Sequence, residues 1–142
     1  MIPKIIHYCW FGHNPLPPLA HQCIASWRRF LPDYEIWQWR EKGLSPALTT
    51  REGDANANAD KVMEFDVNCI PYTEEAYKQK KYAFVSDYAR FWIMYHYGGI
   101  YFDTDVEVIC HMDDIVANGN FMGFEVDPDG EVTIGRGLSL QP

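Results

Sequence analysis

The sequence lacks any long hydrophobic run, since none of its 142 residues lie in a stretch near the roughly 18 apolar positions that span a bilayer. It also lacks the apolar core and following small residues of a signal peptide at its beginning. We therefore expect no transmembrane segment and a cytoplasmic location, while peripheral association with a membrane stays open.

Basic residues are scarce. The chain has 12 Lys and Arg against 20 Asp and Glu, which gives a formal net charge of -8. A protein that binds nucleic acid neutralises phosphates with a basic stripe, so we expect no nucleic-acid partner. An acidic protein can still bind a diphosphate if a metal ion lies between the two negative partners.

Cysteine motifs are absent as well. The four cysteines form no C-x-x-C pair and have no zinc-like spacing, so we interpret them as reduced structural thiols. Hydrophobic residues are abundant in the chain. They make up 47% of it, and aromatic residues make up 15%, which argues against a disordered chain. The length fits one domain over residues 1–142.

The first third of the sequence predicts a βαβ unit. Residues 2–11 are a short apolar run followed by a Gly-His-Asn-Pro loop, which is typical of a buried strand. Prolines then open a helix over 17–31, and the alternation over 34–39 predicts a second strand. Strands joined in this way are parallel and the crossover is right-handed.

Later segments are more varied. Residues 41–60 have no periodicity and predict a surface insertion, and 62–67 predict a short strand. A Pro-Asp-Gly turn separates 121–126 from 131–134, which predicts a β-hairpin.

The central stretch predicts a helix over 86–97, a stop at two glycines, and a strand over 100–107. The helix spacing favours a core-facing stripe of four aromatic residues: Tyr88, Phe91, Trp92 and Tyr95. Side chains alternate along a strand, so one face of the second element would carry Tyr101, Asp103, Asp105 and Glu107. Carboxylates cannot be buried unpaired at low cost, so this face must meet solvent, a basic side chain or a cation, and a hard divalent ion fits best.

The predicted helix and strand have similar lengths. If they pack antiparallel across the glycine turn, Asp87 and Arg90 come level with Asp103 and Asp105 at the carboxyl end of the strand. Open α/β sheets bind ligands at that end. Without further support, the two acids could equally be a solvated strand end, Asp87 and Arg90 a surface pair, and Trp10 a core residue.

Three blocks, residues 2–12, 84–90 and 98–105, carry a resemblance to a known family. In this order they resemble the glycosyltransferases with the sugar-binding DXD motif, which include capsular and lipopolysaccharide sugar transferases, initiating mannosyltransferases and, more distantly, clostridial glucosylating toxins. The resemblance implies an α/β fold of the GT-A type: a Rossmann-like, mostly parallel sheet flanked by helices, here with the C-terminal β-hairpin.

The resemblance also implies roles for individual residues. The donor-binding residues would be Trp10, Asp87, Arg90, Tyr101 and Asp103. The catalytic residues would be Asp103, Asp105 and Arg90. Asp105 would ligate Mn²⁺ or Mg²⁺ directly, and Asp103 would reach the donor and the metal.

We expect a metal-dependent, retaining glycosyltransferase that moves a sugar from a nucleotide-sugar, with a UDP-sugar favoured, to a saccharide acceptor in bacterial surface-polysaccharide synthesis. We also expect residues 1–142 to lack the C-terminal acceptor-side segment that is usual in the family. Two alternatives stay open: a non-catalytic nucleotide-sugar-binding fragment that needs a further region or partner, and a metal-dependent phosphohydrolase.

Overall fold

The computed structural model describes residues 1–12, 14–43, 59–126, 129–130 and 132–140. Most of the predicted insertion, residues 44–58, and part of the hairpin turn lie outside these ranges. The described strands are β1 (Ile5–Cys9), β2 (Glu35–Glu41), β3 (Lys61–Phe65), β4 (Gly99–Phe102), β5 (Met122–Val126) and β6 (Val132–Leu140). The described helices are α1 (Pro18–Phe30), α2 (Pro71–Lys78), α3 (Tyr82–Tyr97) and α4 (Asp113–Ala117).

The strands form a six-stranded sheet in the order β3-β2-β1-β4-β6-β5. The first four are parallel to one another, and β6 pairs antiparallel with both β4 and β5. The predicted α/β class, the parallel β1-α1-β2 unit and the C-terminal hairpin are confirmed. The second hairpin strand runs further than the sequence suggested, because its later residues pair with β4.

A hydrophobic core lies on each face of the sheet. The first contains Ile6 and Tyr8 of β1 together with the buried stripe of α1: Ala20, Cys23, Ile24 and Trp27. The second contains Cys9, Trp37 and Trp39 together with α3. Successive residues of β1 and β2 therefore supply opposite cores, as strand geometry requires.

The predicted aromatic stripe of α3 is half right, because Tyr88 and Trp92 are partly buried against the second core whereas Phe91 and Tyr95 are exposed. The helix begins at Tyr82 and buries a smaller, aliphatic stripe: Val85, Ala89, Ile93 and Met94. Phe91 and Tyr95 are instead 52% and 80% exposed. The helix is apolar on several faces, so periodicity alone did not select one, and the small Ala89 allows close packing on the sheet.

Within the described ranges, no helix has both the length and the apolar character needed to cross a bilayer. The four cysteines are free; Cys9 and Cys23 are buried, as expected for structural thiols, whereas Cys69 and Cys110 are exposed.

Candidate functional site

A pocket of about 600 Å³ opens where β1 and β4 end and α3 begins. Every residue that the sequence suggested for the site lines this pocket: Trp10, Asp87, Arg90, Tyr101, Asp103 and Asp105. The parallel arrangement of β1 and β4 brings their carboxyl ends together, so the pocket lies at the edge of the sheet where such folds bind ligands.

The first half of α3 supplies the basic side of the pocket. The Arg90 guanidinium lies 3.5 Å from the Asp87 carboxylate one turn earlier. The guanidinium carbon of Arg90, Cζ, also lies 5.3 Å from the centroid of the Phe91 ring, which is a cation–π contact. Arg90 is 25% exposed and Asp87 50% exposed, so the pair still has polar surface to offer a ligand.

The acidic side of the pocket is a turn and not a strand face. β4 ends at Phe102, and the backbone N–H of Val106 donates to the carbonyl of Asp103 at 3.1 Å. The expectation that Asp103, Asp105 and Glu107 share one strand face with Tyr101 is therefore wrong. Asp and Thr favour turns because their side chains compete for backbone hydrogen bonds, which accounts for the early end of the strand. Asp103 and Asp105 nevertheless both line the pocket.

Two residues of α1 hold the segment that follows these aspartates. The Trp27 indole N–H donates to the Val106 carbonyl at 2.7 Å, and the Val108 N–H donates to the Ser26 hydroxyl at 2.9 Å. From the sequence, Trp27 is expected to be an ordinary core or rim residue, and no pattern singles out Ser26. Nothing in their spacing indicates contact with residues about eighty positions later.

Tyr101 lies in the floor of the pocket and is only 1% exposed. Its hydroxyl is hydrogen-bonded to the Cys9 thiol, and burial raises the pKa of that thiol to about 12. Burial also raises the pKa of the Tyr101 phenol well above its usual range. Both groups stay neutral at physiological pH, so the floor adds hydrogen-bonding atoms without adding charge.

Trp10 stands at the other side of the pocket, directly after β1. Its indole N–H donates to the carbonyl of Asn14 at 2.7 Å, and its ring is partly buried against the α1 core. Trp10 is thus both a packing residue and a pocket residue.

Hydrogen bonds to Glu41 connect the loop that carries Trp10 to β2 and α2. The Gly12 N–H and the Tyr77 hydroxyl both donate to Oε1 of Glu41, the latter at 3.0 Å. Glu41 is 3% exposed. A single buried carboxylate therefore ties the Trp10 loop to α2.

His7 is a further residue that spacing did not reveal. It is fully buried, and the Trp39 indole donates to its Nδ1 at 3.1 Å. Its Nε2 must then carry the proton, which it donates to the Gly98 carbonyl at 2.9 Å. Burial lowers the pKa of His7 to about 4. A histidine inside an apolar strand was the only signal available in the sequence.

The donor set suits a magnesium or manganese ion that is shared with a ligand. Among the residues that the structure describes, no group of three or more His, Cys, Asp or Glu could hold a metal. These ions keep several waters and need only one or two carboxylates when phosphates complete the shell. Asp103 and Asp105 on one pocket wall fit that requirement.

Comparison with known proteins gives a consistent result. Residues 17–122 match the family described as glycosyltransferase sugar-binding region containing DXD motif. Inositol phosphoceramide mannosyltransferase 1 of Schizosaccharomyces pombe is 28% identical over 91% of this chain, which spans 36% of that protein. Inositol phosphoceramide mannosyltransferase 3 of the same yeast is 32% identical over 74% of this chain and 24% of its own length.

A solved structure titled PaToxG Glycosyltransferase has the same fold. It superposes with a TM-score of 0.63 at 19% identity and covers 95% of this chain and 56% of its own. The chain thus spans between about a quarter and just over half of the relatives compared. From the match over residues 17–122, the chain belongs to the family of glycosyltransferases with a sugar-binding region that contains the DXD motif.

Proposed function

We propose that the chain binds a nucleotide-sugar in the 600 Å³ pocket and takes part in metal-dependent, retaining transfer of the sugar. One observation carries the proposal: Trp10, Asp87, Arg90, Asp103 and Asp105 come from distant parts of the sequence and line the same pocket. Open α/β sheets bind ligands at this edge, and a pocket with converging polar groups is where a ligand is expected.

Each side chain has a role that its chemistry suits. Asp105 and Asp103 would hold Mn²⁺ or Mg²⁺, which supplies charge stabilisation to the departing diphosphate. Arg90 would bind donor oxygens with a guanidinium that Asp87 orients. The Trp10 ring would pack against the base, and Tyr101 would contact the donor from the floor.

The donor and acceptor are finer proposals. A UDP-sugar remains our first candidate, and the likeness to mannosyltransferases supports including mannosyl donors on GDP. We propose a saccharide hydroxyl as the acceptor in surface-polysaccharide synthesis. The likeness to an inositol phosphoceramide mannosyltransferase makes that lipid the second acceptor to test.

The test is a comparison of Asp105→Asn with Asp33→Asn. The Asp33 side chain is 78% exposed, does not line the pocket and lies 3.8 Å from the Lys4 ammonium, so Asp33→Asn is a matched control. Calorimetry with UDP, GDP and their sugars should give binding that requires Mn²⁺ in the wild type and in Asp33→Asn. Asp105→Asn should lose it with an unchanged circular dichroism spectrum. Full manganese-dependent affinity in Asp105→Asn would exclude the proposed metal role.

Turnover separates the alternatives. Formation of a glycoside with retained anomeric configuration supports transfer, and release of free sugar with the nucleoside diphosphate shows cleavage of the donor with water as the acceptor. Donor binding without either reaction favours the non-catalytic binding fragment. Cleavage of simple phosphate esters with no glycosyl transfer favours the phosphohydrolase.

A further inference from the structure

The DXD turn, defined here as residues 103–106, and the residues directly after it are held by α1, and none of the described residues that line the pocket belongs to this helix. Two α1 neighbours make the contacts: the Trp27 indole donates to the Val106 carbonyl at 2.7 Å, and the Ser26 hydroxyl accepts from the Val108 N–H at 2.9 Å. We propose that Ser26 and Trp27 are positioning residues that set the metal affinity of Asp103 and Asp105. This inference rests on the proposed function of those two aspartates.

Trp27 contacts the chain on both sides of the aspartates. Its ring packs on Phe102, with centroids 5.3 Å apart, and Phe102 directly precedes Asp103. Its N–H reaches Val106, which directly follows Asp105. One rigid side chain therefore fixes the entry and the exit of the turn.

The Trp27 side chain is itself held in place by the core. Trp27 is 0% exposed and packs on Tyr8 of β1 with centroids 5.7 Å apart. An indole in such a setting has one rotamer available, since close-packed cores resist displacement. The position of the Val106 carbonyl is thus defined by the core between α1 and the sheet.

Ser26 holds the chain at a second position, Val108, two residues after Val106. Its hydroxyl donates to the Cys23 carbonyl at 2.5 Å, so the hydroxyl proton is engaged and the oxygen lone pairs face the Val108 N–H. The helix therefore orients Ser26 as an acceptor. A pocket of about 500 Å³ lies beside Ser26, which leaves room for one extra methyl group.

These contacts matter for metal binding because two carboxylates must be held in place for a shared ion. Partners that orient metal ligands typically change metal affinity by about 10- to 100-fold when removed. A purely structural role would instead lower the stability of the protein and leave the metal affinity of the folded molecules unchanged.

The experiment uses Ser26→Ala, Ser26→Thr and Trp27→Phe in the full chain. Manganese is titrated at fixed UDP and at fixed GDP by calorimetry, and hydrogen exchange of the Val106 and Val108 amides is followed without ligand. We expect Ser26→Ala and Trp27→Phe to raise the manganese concentration at half-saturation by about tenfold. Ser26→Ala should speed exchange at Val108 by about fivefold, and Ser26→Thr should restore wild-type values of both.

Trp37→Phe is the matched control for the tryptophan. It removes an indole that donates to Glu35 at 2.8 Å, on the other core of the sheet and away from the DXD turn. We expect its manganese dependence to equal that of the wild type. If Trp27→Phe does not fold, Ser26→Ala still decides the outcome, because alanine is a better helix former than serine and the serine is only partly buried.

The Asp105 and Ser26 variants distinguish the metal role of the aspartates from the positioning role of Ser26 and Trp27. Wild-type metal dependence in Asp105→Asn would remove the proposed function. Loss of binding in Asp105→Asn, combined with manganese half-saturation in Ser26→Ala within about twofold of wild type despite faster Val108 exchange, would overturn only the positioning role.

Discussion

His7 shows how much one buried side chain can fix at the scale of a residue. Its ring connects the Trp39 indole to the Gly98 carbonyl, so it links β2 to the turn between α3 and β4. The neutral ring, with its hydrogen on Nε2, accepts from the Trp39 indole and donates to the Gly98 carbonyl. A protonated ring would carry a hydrogen on Nδ1 too, so it could no longer accept from Trp39. The turn that leads from α3 into β4 therefore depends on a histidine that stays neutral.

This arrangement predicts a specific loss of stability in acid. The pKa of His7 is about 4 in the folded protein against 6.5 for an ordinary histidine, so the unfolded chain binds the proton more readily. The free energy of unfolding should be unaffected by this group above pH 6.5 and should fall between pH 6.5 and 4. The full effect is up to about 3 kcal/mol, measured by urea unfolding across this range.

His7→Gln provides the control, since its amide can accept from Trp39 and donate to Gly98 without titrating. We expect its unfolding free energy to depend less steeply on pH than that of the wild type in this window. Parallel pH profiles for the two proteins would contradict the assignment.

The acidic and basic residues of the pocket could be predicted because each lies in a short local pattern. Ser26, Trp27 and His7 could not, because their partners are 82, 79 and 91 positions away and are backbone atoms. The type of a residue does not show which side chain its backbone carbonyl or amide will bond. Such contacts become visible only when the fold is known.

At the scale of elements, the turn between α3 and β4 depends on a close approach at Gly99. Its φ is +95°, and a Cβ at this position would lie 2.6 Å from the Ile5 carbonyl of the neighbouring strand. The contact is with backbone, so no side chain can move aside. Any larger residue must separate β4 from β1.

We therefore expect Gly99→Ala to destabilise the protein by about 3 kcal/mol or more, in the range of the most disruptive substitutions. Gly119→Ala is a matched control, because Gly119 has a φ of +96° with nothing within 4 Å of its Cβ position. It should cost only about 1 to 2 kcal/mol, the strain of the backbone conformation alone. Equal losses for the two variants in urea unfolding would show that the approach to Ile5 is unimportant.

A second element-level prediction concerns the contact between Glu41 at the end of β2 and Tyr77 of α2. Burial, followed by the Glu41 carboxylate, raises the pKa of Tyr77, so its hydroxyl remains a donor. Tyr77→Phe should lower stability by about 1.5 kcal/mol, the value of a hydrogen bond to a charged group.

A double-mutant cycle measures the coupling. In a Glu41→Gln background, we expect the cost of Tyr77→Phe to fall by about 1 kcal/mol, since the charge that strengthens the bond is gone. Additive costs would mean that Tyr77 stabilises the loop of Trp10 by packing alone.

Elements were predicted best where one physical signal dominated. The β1-α1-β2 unit follows from an apolar run, a proline-initiated helix and an alternating strand. The ends of β4 and the buried face of α3 did not follow, since Asp103 to Asp105 fit both a strand and a turn, and α3 is apolar on more than one face. Pairing with β1 and β6 defines the extent of β4, and packing on the second core defines the buried face of α3.

At the scale of the whole molecule, the formal charge of -8 opposes binding of a free diphosphate. Manganese should therefore control how much a nucleotide stabilises the fold. At about 100 times the dissociation constant, a ligand contributes about 2.7 kcal/mol. For a chain of this size we expect a rise of about 8 °C in Tm with Mn²⁺, and about 2 °C or less without it, measured by thermal shift.

A rise in Tm that is the same with and without Mn²⁺ would contradict this prediction. Sodium chloride at matched ionic strength is the control, because it screens surface charge without supplying a divalent ion that could bind the carboxylates and the diphosphate.

The order of the strands has a consequence for how the molecule is made. β6 follows β5 in the chain but lies between β5 and β4, with Phe102 opposite Gly137. During translation, β4 emerges before β6 exists, so its outer backbone groups have no neighbour until the hairpin arrives. An open sheet edge invites pairing with other chains. The strand that leads into the DXD turn thus has an open edge until β6 pairs with it, and we expect chaperones to bind the nascent chain during that interval.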